Sequence, residues 1–310
     1  MSDEIILHQY ELSPFSEKVR VVMGIKGLSW RAVEQPIIMP KPDLVCLTGG
    51  YRKIPVLQIG ADIYCDSQMI IRELDRRFPE TPLPDGDLPG GTGLGYPLGF
   101  WTDREVFQAA VAIVFGGVGD QVDDSFKKDR EAMMGRPFDT DQMKQAVPLM
   151  IEQMRAHMSM VETQLSDGRL FIGGDKPGIA DASAYYNIWF IRMTNPAGGA
   201  VFDSFTHLPA WEARVKDIGW GTHAKMTPDE AIAVAKAGTS KTKEQADPGE
   251  PNGLKPGMAV QVMADDYGRD PIAGTLVMSS ATEIAIRRQD ERLGEVVVHF
   301  PRAGFWVLPG

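Results

Sequence analysis

Residues 13–20 read Ser-Pro-Phe-Ser-Glu-Lys-Val-Arg and follow a short apolar stretch, Ile5-Ile6-Leu7, that predicts a buried strand. Ser is a favoured N-cap and Pro is favoured at the first helical position, so this segment predicts the start of a helix that ends near Gly27. A helix N-terminus presents free N–H groups and positive potential, and it can therefore stabilise an anion such as a thiolate. Ser13 has two interpretations: a plain helix cap, or a hydroxyl that also donates a hydrogen bond to sulfur.

A β-hairpin is predicted farther along the same region. Residues 53–57 read Lys-Ile-Pro-Val-Leu, and apolar stretches on both sides of a turn at 60–62 predict paired strands. If the peptide bond before Pro55 is cis, the backbone of Ile54 turns outward and can pair with an extended peptide ligand. Ile54 is therefore a candidate binding residue.

Asp66-Ser67 stands where the hairpin ends and a helix over residues 68–78 begins. The pair is either an ordinary cap or a site that holds the ammonium and carboxylate groups of an amino acid. The region from Pro36 to Pro42 is expected to be irregular and to lead into a short helix near Leu44. The order of strand, helix, gap, hairpin and helix predicts a small α/β domain.

Two stretches of the remaining chain predict linkers. Between residues 79 and 99, eleven of twenty-one residues are Pro or Gly, a composition that sustains neither helix nor strand. A polar break at 238–253 predicts a flexible tether. Between them, apolar residues from Met143 to Leu165 recur every three or four positions, which predicts a long helix with a core-facing methionine stripe. Beyond residue 253, five short apolar stretches separated by turns predict a small β-barrel of SH3-like size.

Composition excludes several functional classes. The chain has 310 residues, 43% apolar and 24% charged, and a formal net charge of −10, which is typical of a globular protein. Segments 1–86, 87–225 and 226–310 carry −2, −5 and −3, so none is the basic patch that a nucleic-acid partner requires. The longest apolar run, 106–119, is shorter than the roughly 20 residues that span a bilayer. No nucleic-acid or membrane partner is expected.

The first four residues, the two cysteines and the five histidines bear on localisation and on metal binding. The opening Met-Ser-Asp-Glu lacks the basic and apolar regions of a secretory signal, and two cysteines, Cys46 and Cys65, make no disulfide framework. We therefore expect a cytoplasmic protein. The five histidines are scattered without metal-ligand spacing, so no metal is expected.

The ordered combination of residues 13–20, 53–57 and 66–67 resembles the thioredoxin-fold half of the glutathione S-transferase family. Residues 178–181, Gly-Ile-Ala-Asp, resemble the N-capping box of the family's helical domain, with Gly178 in place of the usual Ser or Thr. The resemblance covers about residues 4–225. It implies a thioredoxin-like, glutathione-binding α/β domain followed by an all-helical domain.

Five segments are therefore expected along the chain. They are a thioredoxin-like domain (1–80), a Pro/Gly-rich linker (81–99), an all-helical domain (100–237), a second linker (238–253) and a small SH3-like β-barrel (254–310).

The resemblance also implies roles for individual residues. Ser13 matches the residue that faces the glutathione sulfur, and Tyr10, near the tyrosine of other classes, is the second candidate. Ile54 matches the backbone that pairs with the cysteinyl unit, and Asp66 and Ser67 match the pair that holds the γ-glutamyl end.

Lys41, in Lys41-Pro42-Asp43, is a candidate for the glycyl carboxylate and is equally well explained as a surface charge. The family's Asn-Pro-x-Gly before the Pro turn is replaced here by residues 49–52, Gly-Gly-Tyr-Arg. Because of that replacement, the resemblance does not predict the conformation of the loop at residues 49–52.

The implied activity is transfer of the glutathione thiolate, as a co-substrate, to an electrophilic small molecule by conjugation or by isomerase or lyase chemistry. Phe15, Trp101, Arg104 and Phe107 are expected to line the electrophile pocket between the domains. A homodimer is implied by the family alone. The alternative is a non-catalytic interaction protein that works through its C-terminal β module.

Overall fold

The amino-terminal part of the chain alternates strands and helices. The computed structural model describes residues 4–310, so residues 1–3 of the opening stretch weighed as a signal lie outside the described residues. The elements are β1 (Ile6–Gln9), α1 (Pro14–Ile25), β2 (Ser29–Glu34), α2 (Pro42–Thr48), β3 (Val56–Ile59), β4 (Asp62–Cys65) and α3 (Ser67–Arg77). β1 pairs parallel with β2 and antiparallel with β3, and β3 forms a hairpin with β4. This is the small α/β domain that the sequence predicts.

β2 corrects one sequence expectation. Residues 29–34 lie in the stretch treated as a gap between the first helix and the hairpin, yet they form a strand whose middle residues Trp30, Ala32 and Val33 are buried. The strand pairs with β1 on one edge and with β5 (Thr222–Lys225) on the other. Because both partners are distant in sequence, local alternation alone did not reveal it.

Helices dominate residues 95–237. They are α4 (Gly95–Trp101), α5 (Phe107–Val118), α6 (Asp124–Met134), α7 (Thr140–Leu165), α8 (Ile179–Thr194), α9 (Pro196–Gly199), α10 (Leu208–Ile218) and α11 (Pro228–Ala237). A π-helical turn, Thr102–Val106, joins α4 to α5. No helix within residues 4–310 is both long and apolar enough to cross a membrane.

α7 is the long helix that the apolar repeat predicts, and it begins three residues earlier than the first repeat position. Asp139 extends it by accepting hydrogen bonds from the N–H groups of Asp141 and Gln142 at 3.0 and 2.9 Å. The methionine stripe packs in the core, where Met154 and Met158 are fully buried. Its members therefore serve packing.

The first linker is ordered by one carboxylate. Asp85 accepts hydrogen bonds from the N–H groups of Ile179 and Ala180 at 2.7 Å each, so a linker side chain caps α8. Asp181 adds to the cap by accepting the N–H of Gly178 at 2.9 Å. A Cβ at Gly178 would lie 2.2 Å from Asp85 Oδ1. Glycine at this position makes room for a cap that comes from another segment.

The C-terminal strands extend the amino-terminal sheet. They are β6 (Ala259–Ala264), β7 (Ile272–Ser279), β8 (Glu283–Asp290), β9 (Gly294–Pro301) and β10 (Phe305–Pro309). Together the ten strands form one sheet in the order β10-β6-β7-β8-β9-β4-β3-β1-β2-β5. The five strands expected here are present, but closure into an SH3-like barrel is not confirmed. β9 instead pairs parallel with β4, and this pairing docks the module on the α/β domain.

The central strands β1, β3 and β4 are buried on both faces of the sheet. One core packs α1, α3 and the helical domain together, with Leu7, Leu57 and Trp211 among its buried residues. A second core packs α2 and the hairpin against the C-terminal module through residues such as Leu47 and Phe300. The module therefore shares a core with the amino-terminal domain.

The second linker is also held in place. Residues 240–242, expected to belong to a flexible tether, converge on Asp62 of β4. The Asp62 carboxylate accepts hydrogen bonds from the Ser240 hydroxyl, from the Lys241 N–H at 3.1 Å and from the Thr242 hydroxyl at 3.0 Å. The chain is thereby pinned where it passes from α11 to the module.

A buried charge cluster lies at the same seam between β4 and β9. His299 Nδ1 lies 2.6 Å from Glu283 Oε1, and its Nε2 lies 3.4 Å from Asp62 Oδ1. Burial alone would lower the pKa of His299, but the hydrogen bonds and charges of Asp62 and Glu283 outweigh it and raise the pKa to about 9. Tyr64 stacks on the imidazole with ring centroids 4.4 Å apart. His299 is therefore an imidazolium at neutral pH.

Gly178→Ser should destabilise the protein, although serine is normally the better cap. We expect a loss of about 1–3 kcal/mol in the free energy of unfolding, because the new Cβ collides with the Asp85 carboxylate. Urea denaturation measures this loss, and Gly173→Ser, where a Cβ would meet nothing within 4 Å, is the matched control. Removing the collision in Asp85→Ala/Gly178→Ser should recover part of it. Unchanged stability of Gly178→Ser would refute the explanation.

The His299 cluster should make stability depend on pH. Because the folded pKa lies above the ordinary value of 6.5, the contribution is fully present below pH 6.5 and is lost as the pH rises through about 9. His299→Gln should therefore lower the melting temperature markedly at pH 6 and by a smaller amount at pH 10. Thermal denaturation across this range, with His207→Gln in the helical domain as control, measures the difference. A penalty that does not change with pH would contradict it.

Candidate functional site

A cavity lies where the α/β domain, the helical domain and the C-terminal module meet. Its volume is about 300 Å³, the lower end of the range for small-molecule sites. Its polar lining includes Tyr10, Ser13, Lys41, Arg52, Lys53, Asp66, Ser67, Asp103 and Arg130. Its apolar lining includes Phe15, Phe107, Val111, Phe115, Val118, Phe126, Phe138 and Phe190. The cavity can therefore accept a polar group and an apolar group side by side.

Ser13 occupies the N-cap of α1, as the sequence predicts. Its Oγ accepts the N–H of Ser16 at 3.2 Å, and the residue is only 1% exposed. Tyr10 borders the same cavity as Ser13, so both candidates for the sulfur ligand meet at one place. Burial raises the pKa of the Tyr10 phenol, which keeps it protonated.

Arg130 of α6 is a member of the site that sequence reasoning missed. It borders the cavity together with Tyr10, and its guanidinium lies 4.3 Å from the centre of the Phe126 ring. Asp129 bridges Arg130, at 2.6 Å, and Arg52. Nothing in the local sequence of a charged surface helix marks Arg130 as a site residue, since tertiary packing brings it there.

Lys41 lies beside this arginine pair. Its Nζ donates a hydrogen bond to the carbonyl of Arg52 at 3.2 Å and lies 5.9 Å from the centre of the Tyr10 ring. Burial, together with the positive charges of Arg130 and Arg52, lowers the pKa of Lys41 to about 8. Lys41, Arg52 and Arg130 are accompanied by Asp129, so the group retains a positive balance that favours an anionic ligand.

Asp66 and Ser67 begin α3 on another part of the lining. The Asp66 carboxylate accepts the N–H of Gln68 at 2.9 Å, and Ser67 is buried. Asp66 has a φ of 78°, the only positive φ of a non-glycine residue within 4–310. Such backbone strain clusters at ligand sites. Burial raises the pKa of Asp66 despite that hydrogen bond and the charge of Lys53.

Ile54 and Asp103 complete the polar lining. The Ile54–Pro55 peptide bond is cis, and both residues border the cavity. Asp103 lies in the π-helical turn, where its carboxylate accepts hydrogen bonds from Lys18 Nζ at 2.8 Å and from the Tyr186 hydroxyl at 3.1 Å. π-turns of this kind are frequent at functional sites.

The apolar lining is a connected set of rings. Phe15 contacts Phe107 with centroids 4.7 Å apart, and Phe115 contacts Phe126 and Phe138 at 5.5 and 5.0 Å. Three of the four residues expected to line an electrophile pocket are here: Phe15, Arg104 and Phe107.

The fourth, Trp101, does not border the cavity. It packs edge-on against His157, with ring centroids 5.6 Å apart, because its position on α4 faces α7. The expectation that Trp101 lines the pocket is therefore not met in this structure.

The C-terminal module contributes the remaining wall. Asp266, Tyr267 and residues 303–305 border the cavity. Asp265 forms an ion pair with Arg104 of the helical domain. These residues lie more than 250 positions after Ser13 in the chain, and their local sequence reads as ordinary turns. Neither a helix cap, nor hydrophobic periodicity, nor a family-like motif identifies them as site residues.

Comparisons with known proteins agree with this geometry. Residues 7–82 match the family model described as glutathione S-transferase, N-terminal domain, and residues 118–219 match a domain of unknown function. A crystal structure of a GST-like protein from Pseudomonas syringae is 35% identical, with complete coverage of both chains and a TM-score of 0.81. The similarity to the Pseudomonas syringae structure therefore includes the C-terminal module.

Plant proteins are more distant relatives. A probable glutathione S-transferase GSTU1 of Oryza sativa subsp. japonica is 25% identical over 222 residues, 68% of this chain and 84% of the relative. The structure of rice GST1 (OsGSTU1) in complex with glutathione has a TM-score of 0.53 at 20% identity, covering 74% of this chain and 95% of that one. At 20% identity, the similarity to the rice GST1 structure concerns the fold alone.

Proposed function

The chain belongs to the glutathione S-transferase family, and we propose that it is a transferase that activates the glutathione thiol for attack on an electrophilic carbon. One observation carries the proposal. The cavity brings Ser13, Ile54, Asp66 and Ser67 together beside a connected aromatic surface. A polar peptide and an apolar second substrate can therefore bind next to each other.

Glutathione fits the polar lining as follows. Asp66 and Ser67, with the N–H groups at the start of α3, would hold the ammonium and carboxylate of the γ-glutamyl end. The Ile54 backbone would pair with the cysteinyl unit. Lys41 would bind the glycyl carboxylate, with Arg52 adding positive potential. This local positive charge offsets the net −2 of residues 1–86.

Ser13 is proposed to stabilise the thiolate. Lowering a thiol pKa by one unit requires about 1.4 kcal/mol, so two units require nearly 3 kcal/mol. A hydrogen bond from a hydroxyl to a charged group contributes about 1.5–3 kcal/mol, and a helix N-terminus adds about 0.3–1 kcal/mol. The guanidinium of Arg130, which borders the same cavity, adds to the positive potential. These contributions together meet the requirement.

In the reaction, the thiolate sulfur donates an electron pair to the electrophilic carbon and forms a C–S bond. In a displacement, the leaving group departs with the electron pair of the bond that breaks. In an addition to an activated double bond, the carbanion takes a proton from water. The rings of Phe15 and Phe107 favour an electrophile with an apolar or aromatic body.

The proposal also covers the oligomeric state and location of the protein and the fold of its C-terminal module. The protein is proposed to act as a homodimer in the cytoplasm, which family membership supports. The module is proposed to approximate an SH3-like barrel, which its strand order β10-β6-β7-β8-β9 supports.

Ser13→Ala and Ser13→Gly should both raise the pKa of enzyme-bound glutathione by about one to two units, because each removes the hydroxyl donor. Glycine costs only a few tenths of a kcal/mol at an N-cap, whereas alanine costs about 1 kcal/mol, so the glycine variant separates catalysis from folding. Ultraviolet absorbance of the bound thiolate against pH gives the value. Tyr10→Phe should produce a smaller shift. An unchanged thiol pKa in both Ser13 variants would remove Ser13 from this role.

Lys41 should make peptide binding depend on pH. With a pKa of about 8, roughly a tenth of Lys41 is charged at pH 9, so affinity should fall by up to about tenfold between pH 7 and 9. S-methylglutathione, which has no thiol to titrate, is the ligand for calorimetry. Lys41→Arg keeps its charge across this range and should flatten the dependence. The same fall in affinity for both proteins would exclude Lys41 as its source.

A further inference from the structure

The loop between β6 and β7, residues 265–268, reaches from the C-terminal sheet to the cavity and is called here the cavity loop. Asp266 Oδ1 accepts a hydrogen bond from Lys53 Nζ at 2.7 Å. The Gly268 N–H donates to the carbonyl of Met133 on α6 at 2.8 Å, and Asp265 pairs with Arg104. Because these partners belong to the α/β domain and to two parts of the helical domain, the cavity loop is fixed on both sides of the cavity.

Tyr267 is the residue of the cavity loop that borders the cavity with a large side chain. Lys53 Nζ lies 4.4 Å from the centre of its ring, a cation–π contact that fixes the ring beside the polar lining. Burial raises the pKa of the phenol, and the charges of Asp266, Asp66 and Asp103 act in the same direction. Its hydroxyl therefore stays protonated and is a donor at neutral pH.

The Tyr267 hydroxyl has no hydrogen-bond partner among residues 4–310. Tyr267 is half-buried, so an unpaired hydroxyl at the cavity wall is available as a donor to a ligand. Tyr267 shares the cavity lining with Asp66 and Tyr10 and is close enough to both to interact electrostatically with them. Tyr267 is therefore within reach of the groups proposed to hold the γ-glutamyl end and the sulfur.

We propose that Tyr267 is a binding residue for glutathione, contributed by the C-terminal module, and that it contacts the γ-glutamyl-cysteinyl part of the tripeptide. The phenol donates a hydrogen bond to an oxygen of the ligand, and the ring covers its backbone. Asp266 is a positioning residue, because its ion pair with Lys53 holds the ring in place. This inference rests on the proposed function, since it assigns a residue to the same peptide site.

Calorimetric titration of the full-length protein with glutathione tests the proposal. Tyr267→Phe should raise the Kd by about threefold to tenfold, the effect of one lost hydrogen bond, and Tyr267→Ala should raise it at least as much. Tyr96→Phe is the matched control. Its hydroxyl also lacks a partner within 4–310, but Tyr96 does not border the cavity. This control should bind as the wild type does.

A second ligand locates the contact. Titration with γ-glutamylcysteine, which lacks the glycyl unit, should show the same fold-increase in Kd for Tyr267→Phe. A loss confined to glutathione would place the contact at the glycyl end and overturn the assignment.

The remaining outcomes are also decisive. Wild-type affinity in Tyr267→Phe would overturn the proposal even if Tyr267→Ala misfolds, because the phenylalanine variant keeps the ring; melting temperatures establish that it is folded. If the wild-type protein binds no glutathione, the proposed function fails and this inference fails with it. Binding by the wild type with unchanged binding by both Tyr267 variants overturns this inference alone.

Discussion

The parallel pairing of β4 with β9 is the constraint on which the rest of the structure depends. At this seam the His299 imidazolium is buried between the carboxylates of Asp62 and Glu283. Removing one partner of a buried ion pair leaves an uncompensated charge, which costs about 3–5 kcal/mol, so this seam tolerates the loss of either partner poorly. The register of β9 then decides where the loops of the module lie. Two of those loops reach the cavity, so the geometry of the site follows from a contact on another part of the sheet.

The positive charge at the cavity comes from a few nearby side chains and not from the net charge of the chain. The chain carries a net charge of −10, and each of its three segments is acidic, so the overall field repels an anionic peptide. Lys41, Arg52 and Arg130 nevertheless meet beside Tyr10, held in part by the single carboxylate of Asp129. Because the cations come from the α/β domain and from α6, this positive group exists only when the two domains are packed together. Domain packing therefore builds the anion site.

Features of the fold and the site that depend on residues adjacent in the chain could be predicted from the sequence. Ser13 and Asp66 could be placed because a cap at a strand-to-helix junction has a local signature, and the structure puts both beside one cavity. Arg130 and Tyr267 could not be found, because only tertiary packing turns an ordinary helix residue and a turn residue into parts of a site. Trp101 was misplaced for a related reason: its side of α4 depends on how the helix packs against α7. The C-terminal strands were recognised by their spacing, but their pairing with β4 joins residues more than 200 positions apart.

Capping does not use up the hydrogen-bonding capacity of Ser13, so the cap is compatible with the proposed role toward sulfur. As a cap, Ser13 Oγ uses an oxygen lone pair to accept the Ser16 N–H. A serine hydroxyl also carries a proton and a second lone pair, so capping leaves it able to donate. The Tyr10 phenol, kept protonated by burial, borders the same cavity as Ser13. The residue that starts the helix can thus also donate to an anion at the helix N-terminus, where the free N–H groups point. The cap fixes the rotamer of Ser13, and a fixed rotamer gives a donor its direction.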